Sequence, residues 1–278
     1  MLVKTQQCLA PFPFTPRYAY IPRQRPIRKQ SSMKVMCRIP MEDWLFLVLI
    51  VLVAALLQTS TGYCFSIIGT PFLFLLYPAH TAIQINIVLS LCISVIMIYK
   101  IRKEIDRSLL VRLIEGSLIG LMAGLMVYLY VDVQLLKMAV GSLILILTVL
   151  LILQLTIRQT RLRDFFTGGI SGLLTTSIGV PGPPLLLYFA GVGTKKETLR
   201  STTLAYYLFV YLISLVLQIS FDGSSKEVWV SSMIALPPLL VGIWLGQLLF
   251  ARISQRVFKI ITYMILLFTG SYLVVSSL

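Results

Sequence analysis

The chain is 278 residues long, 58% hydrophobic and only 12% charged, where ordinary globular chains carry about 25% charged residues. With a mean hydropathy of +0.91 and several apolar runs of roughly 18 residues or more, each able to cross a bilayer, this composition excludes a soluble domain and points to an all-α, multi-pass membrane protein. The net charge of +14 does not imply a nucleic-acid partner: the basic residues sit in an N-terminal segment and in short loops between apolar runs, where they orient spans in a lipid bilayer.

Residues 1–43 hold eight Lys/Arg and two acidic residues with no helical or alternating apolar pattern, and read as a disordered tail. No apolar stretch follows their charges before the first span, so they do not read as a signal peptide. Met33 and Met41 both precede that span closely.

The first half, 44–157, opens with an apolar helix from Trp44 to about Thr61, whose end carries Gln58, Thr59, Ser60 and Thr61 towards Gly62-Tyr63. A break is expected at Gly69-Thr70-Pro71, because proline lacks an N–H and clashes with the preceding turn. Phe72 to Tyr77 is then too short to span. Ala79 to Tyr99 spans and contains Gln84, Asn86, Ser90 and Ser94; Ser108 to Tyr130 and Leu135 to Ile157 follow.

The second half, 158–278, repeats the order. Phe165 to Ile178 leads into Gly179-Val180-Pro181-Gly182-Pro183-Pro184, which cannot continue a helix; Leu185 to Ala190 forms a short arm, and spans follow at Thr198 to Ser220, Val228 to Phe250 and Val257 to Leu278. The two breaks lie 110 residues apart (179 − 69), whereas Gly120-x-x-x-Gly124 matches Gly242-x-x-x-Gly246 at 122 (242 − 120), an offset that also pairs Lys137 with Lys259. Duplication therefore requires about twelve inserted residues in the second half.

Loop charge sets an orientation. Lys100/Arg102/Lys103/Arg107, Arg158/Arg161/Arg163, Lys195/Lys196/Arg200 and Arg252/Arg256/Lys259 fall on one side, taken as cytoplasmic; the loops at Asp132 and at Asp222/Lys226/Glu227 fall outside. The halves then run in opposite directions, the inverted-repeat plan of many secondary transporters. The basic tail conflicts with this plan, which leaves it outside. Either the first helix crosses from the cytoplasm, or the tail is absent from the mature protein.

Paired interruptions at matching places in two halves mark a transporter's binding site. Open backbone inside hydrocarbon is tolerated only where it is buried in protein or lines a cavity, and helix N-termini there suit anionic groups. The candidate substrate-binding residues are Gly69, Pro71, Gln84 and Asn86 around the first break, with Thr175, Ser177, Gly179, Pro181, Gly182, Ser201 and Thr202 around the second. Any one Ser or Thr among them reads as helix packing; the two breaks together read as a site for a small oxyanion. The glycines at 116/120/124, 168/172 and 242/246 read as close helix contact.

Arg112 and Glu115 lie three apart on one helical face and could pair, and Glu115, the acidic residue well inside a span, is the candidate for a coupling proton. Cys8, Cys37, Cys64 and Cys92 have no metal-ligand spacing, and His80 beside Pro78 reads as structural. No cofactor, metal, nucleotide loop or catalytic set is expected.

Thr61-Gly62-Tyr63-Cys64-Phe65-Ser66 through Gly69-Thr70-Pro71, Asn86, and Ile178-Gly179-Val180-Pro181-Gly182-Pro183-Pro184 with Arg200-Ser201-Thr202 resemble the TauE/SafE (sulfite exporter) family of membrane transporters over about 44–278. Where that family often has a run of glycines, Cys64 and Phe65 stand. The resemblance implies a multi-pass carrier in the plasma membrane, associated with sulfite, sulfonates and related small organic anions. A non-transporting membrane scaffold or assembly subunit is the rival reading, and a channel a third.

Overall fold

The computed structural model describes residues 41–132 and 158–252 continuously, with scattered positions within 134–149 and 260–275. The predicted tail lies outside the described residues up to residue 40, as do much of the predicted spans Leu135 to Ile157 and Val257 to Leu278 and the Lys137/Lys259 match.

Among the described residues the regular elements are helical. They are α1 (Met41–Thr61), α2 (Cys64–Leu76), α3 (Ala79–Ile101) ending in a 3₁₀ turn (Arg102–Glu104), α4 (Arg107–Tyr130), α5 (Arg161–Ile178), α6 (Gly182–Val192), α7 (Lys196–Asp222) and α8 (Lys226–Arg252). Five of them, α1, α3, α4, α7 and α8, are long and apolar enough to cross a membrane, whereas α2 and α6 are short apolar helices. The protein is an all-α, multi-pass membrane protein.

Helix starts follow local chemistry. The Asp106 side chain accepts from Leu109 N at 3.0 Å to cap α4, and Thr160 Oγ1 accepts from Arg163 N at 3.3 Å to cap α5; each satisfies an amide that the first turn leaves open. Outward-facing Val111, Ile119, Met122 and Met126 give α4 an exposed apolar stripe, the face that lipid covers.

Glycines set the closest packing. A side chain at Gly116 or Gly120 would collide with the carbonyl of Phe165 or Gly169, so α4 and α5 touch backbone to backbone. The second pair of glycines does the same between α8 and α1: a Cβ at Gly242 would meet Leu52 O at 2.7 Å, and one at Gly246 would meet Leu56 O at 2.5 Å. Small residues permit such approach where hydrocarbon supplies no hydrophobic drive between helices.

Most of the packing maps onto itself when α1–α4 exchange with α5–α8, the α2–α3 contact being the exception. The α4–α5 pair becomes α8–α1, α4–α7 becomes α8–α3, and α1–α2 becomes α5–α6, while α3–α7 and α2–α6 map onto themselves.

The first break is not where the Gly69-Thr70-Pro71 pattern places it. Helix α2 runs through Pro71, and the chain turns at Gly62-Tyr63, where Gly62 takes φ +97°. Its counterpart is Gly179, φ +75°, closing α5. Those glycines are 117 residues apart (179 − 62), as are the starts of α3 and α7 (196 − 79). Proline is tolerated at the start of α6, where first-turn donors are free anyway. In mid-α2 it removes one bond, and the helix continues because the turn has already been made upstream. With the offset at 117, the later 122 needs only about five inserted residues instead of twelve.

The helix ends sort by charge. Thr202 of α7 meets Asp106, Asp164 of α5 meets Arg112 of α4, and Gln247 of α8 meets Lys100 of α3, all at one basic face. His80 of α3, Tyr128 of α4 and Asp222 of α7 meet at the opposite face. Because Gly242 opposes Leu52 and Gly246 opposes Leu56, α1 runs parallel to α8 and begins at that opposite face. Of the two arrangements open for the first helix, the start among the basic loops is not the one found.

Arg112 does not pair with Glu115. Its Nε lies 2.7 Å from Asp164 Oδ2, with Asp164 fully buried, in an ion pair whose atoms are not aligned as a hydrogen bond. Tyr188 of α6 donates to the other Asp164 oxygen. Glu115 is exposed on the outer face of α4.

Candidate functional site

Both breaks converge at mid-depth. Gly182, first residue of α6, faces the Tyr63 carbonyl of the other break and the hydroxyl of Tyr207 on α7; a Cβ there would lie 3.1 Å and 3.0 Å from them. Tyr207 is eleven residues past the start of α7 (207 − 196), roughly 16 Å along a helix of about 40 Å. A polar site at this depth is where broken-helix transporters bind their cargo.

Tyrosines line the meeting point. Tyr207 and Tyr211 rings meet edge to face at 5.2 Å, and Tyr211 Oη donates to Ser66 Oγ of α2 at 3.0 Å. Asn86 of α3 completes the ring. Its Nδ2 donates to the Gly179 carbonyl at 2.9 Å, and its Oδ1 lies 3.2 Å from where a side chain on Gly69 would begin. Ser66 and Gly69 share one face of α2, and Gly179 and Gly182 are the two edges of the second break. The cluster is therefore continuous across α2, α3, α7 and the α5–α6 turn.

Asn86 Oδ1, Ser90 Oγ, Ser177 Oγ and Tyr207 Oη are buried and make no hydrogen bond among the described residues. A buried polar group left unsatisfied costs about 1–3 kcal/mol, and more in hydrocarbon. Several at one place argue for a bound polar ligand or its water.

Backbone supplies fewer donors than the breaks suggest. Pro183 and Pro184 have no N–H, so Gly182 and Leu185 provide the amides of the first turn of α6. At the other helix start, Phe65 N already donates to Gln58 Oε1 at 3.2 Å. Neutral hydroxyl and amide side chains therefore carry most of the hydrogen-bonding capacity.

The candidate residues divide into three groups. Gly69, Asn86, Gly179 and Gly182 come together at the centre, with Pro181, whose carbonyl accepts from Ser171 Oγ at 2.8 Å. Ser177 is buried two residues before Gly179; Thr175 donates to its own helix at Ser171 O, 2.6 Å away, and Pro71 is buried within α2. Gln84, Ser201 and Thr202 lie elsewhere: Gln84 Nε2 donates to Gly223 O at 2.8 Å on the far face, while Ser201 Oγ contacts Glu104 Oε2 at 3.3 Å on the basic face.

Tyr207, Tyr211 and Asp164 escaped the sequence reading. Tyrosine in membrane helices favours the interface, so Tyr206, Tyr207 and Tyr211 inside one span were a readable signal. Asp164 was hidden by counting Arg161 and Arg163 as a basic loop.

No curated protein and no solved structure matches the chain. The family model for the sulfite exporter TauE/SafE matches residues 47–273, and with that span covering most of its length, the chain belongs to the TauE/SafE family of membrane transporters.

Proposed function

We propose that this transporter is a secondary carrier that moves a small anion, sulfite, a sulfonate or a related sulfur-containing organic anion, across the plasma membrane. One observation carries the reading: the Tyr207 hydroxyl, fully buried and without a hydrogen-bond partner among the described residues, faces Gly182 where both backbone breaks meet. The family's description as sulfite exporter supports the sulfur oxyanion, and a donor-rich, aromatic-walled site suits its oxygens and a small organic tail.

Gly69, Asn86, Gly179, Gly182 and Tyr207 form the binding site in this reading, with Ser177 beside it. Residues 44–157 and 158–278 are two inverted repeats, supported by the exchange symmetry of their packing. The basic face is cytoplasmic.

Radiolabelled sulfite and taurine-type sulfonates offered to proteoliposomes of the purified protein test the proposal. Saturable uptake, weakened several-fold in affinity by Tyr207→Phe, is expected. No flux of any anion would favour the scaffold reading, and unsaturable currents a channel.

A further inference from the structure

Gln84 stands five residues into α3 and Ser201 five into α7, 117 apart (201 − 84), the separation that also relates Gly62 to Gly179. Each helix uses this turn to hold the loop that follows the other. Gln84 Nε2 donates to Gly223 O in the α7–α8 loop at 2.8 Å. Thr202, next to Ser201, accepts at Oγ1 from Asp106 N in the α3–α4 loop at 3.1 Å. Gly223 and Asp106 are again 117 apart (223 − 106). The two contacts occupy matching places, one at each face, with the side chain one residue out of register and the donor and acceptor exchanged.

Between them the site is sealed: Ser66, Asn86, Ser90, Ser177 and Tyr207 are all 0% exposed. Each contact is braced by unlike partners. On the far face His80 Nδ1 and Tyr128 Oη lie 2.9 and 3.0 Å from Asp222 Oδ2. On the basic face Glu104 meets Ser201, and a hollow of about 580 Å³ lined by Arg102, Lys103, Ile105, Asp106 and Arg107 opens beside it. Such a basic hollow raises the local concentration of anions.

We propose that Gln84–Gly223 and Thr202–Asp106 are the outer and inner gates of the carrier, opened one at a time. The inference rests on the carrier reading above. Helices α3 and α7 are antiparallel neighbours, and each supplies the gate residue at one face and the gated loop at the other. A tilt of α3 against α7 that parts Gln84 from Gly223 presses Asp106 onto Thr202, and the reverse tilt does the opposite. Access to the buried site therefore alternates, and the inner gate opens onto the basic hollow.

Cys64, fully buried beside the first break, is a native reporter. In a background with Cys8, Cys37 and Cys92 changed to serine, a membrane-impermeant maleimide is applied to either side of oriented proteoliposomes. Gln84→Ala should raise Cys64 labelling several-fold from the far face alone, and Thr202→Val from the basic face alone. His80→Ala and Ser201→Ala remove the bracing at the same two faces and carry the same expectation if a first variant fails to insert. Labelling raised from the same side by both, or by neither, overturns the gates. Anion flux in the same vesicles keeps the two ideas apart: saturable flux with no side-specific labelling removes the gates and leaves the carrier. Side-specific labelling without flux of any anion upholds the gates and removes the carrier.

Discussion

The Tyr207 hydroxyl lies 3.0 Å from where a side chain on Gly182 would begin, so the two residues share one small space and only glycine leaves it open. Gly182→Ala fills that space, and its flux should fall to a small fraction of the unmutated protein's. Tyr207→Phe removes one hydroxyl contact, worth about 0.5–1.5 kcal/mol, hence a several-fold weaker apparent affinity. Combining the two should restore part of the flux lost in Gly182→Ala, since the obstructing oxygen is gone. Initial uptake rates against substrate concentration, normalised to inserted protein, decide this; an additive double variant would separate the two residues.

Gly62 and Gly179 should differ in tolerance. Both sit at positive φ, +97° and +75°, where a side chain costs about 1–2 kcal/mol. An alanine at 179 meets the movable Asn86 amide at 2.9 Å, whereas one at 62 meets the Arg200 Cα at the same distance. Backbone cannot rotate away. Melting of the detergent-solubilised protein should therefore show Gly62→Ala as the less stable of the two, and equal melting would show that Arg200 yields.

The helix seam gives a sharper contrast. Gly116→Ala and Gly168→Ala would drive a methyl into the carbonyls of Phe165 and Leu113, while Gly169→Ala meets nothing nearer than 3.5 Å. The first two should fail to accumulate as monodisperse protein on size-exclusion chromatography, and the third should run normally. Loss of all three alike would mean that glycine serves the helix itself and not the seam.

Arg112 and Asp164 should behave as a unit. Removing Arg112 strands the fully buried Asp164 carboxylate, at a cost of about 3–5 kcal/mol, and removing Asp164 takes from the partly exposed Arg112 and from the Tyr188 hydroxyl their shared partner. Arg112→Met and Asp164→Leu should each destabilise strongly, and their combination should recover much of the loss. Thermal stability of the four proteins closes the cycle.

Sidedness is checked by single cysteines at Asp132 and Arg161, which the two faces should present to opposite compartments. Labelling of both from one side contradicts the opposed halves.

The sequence carried the architecture because hydrophobic runs, loop charge and glycine spacing are local and additive. It also located the second break, where three prolines leave the chain no helical option. The first break was misread because Gly69-Thr70-Pro71 imitates Gly179-Val180-Pro181 in composition, although Pro71 falls mid-helix and the true turn at Gly62-Tyr63 has no proline. Aligning Thr59-Ser60-Thr61-Gly62 with Thr176-Ser177-Ile178-Gly179 would have given the correct offset. Gln84, Ser201 and Thr202 were read as ligand contacts because donor chemistry is visible in a sequence and depth along a helix is not. Their bonds to Gly223, Glu104 and Asp106 depend on which loop returns to which helix end, a non-local fact.

The seam between α1 and α8 has a consequence for how the protein is made. Helix α1 is seated against the glycines of α8, which starts 165 residues after α1 ends (226 − 61). At about 5–20 residues per second, that is roughly 8–33 s of synthesis. Throughout that interval Thr59, which ends beside Gly246, has no α8 backbone to close over it. Helix α1 is thus locked long after it is made, and a nascent chain arrested before Lys226 should be the form that insertion chaperones hold and membrane proteases remove.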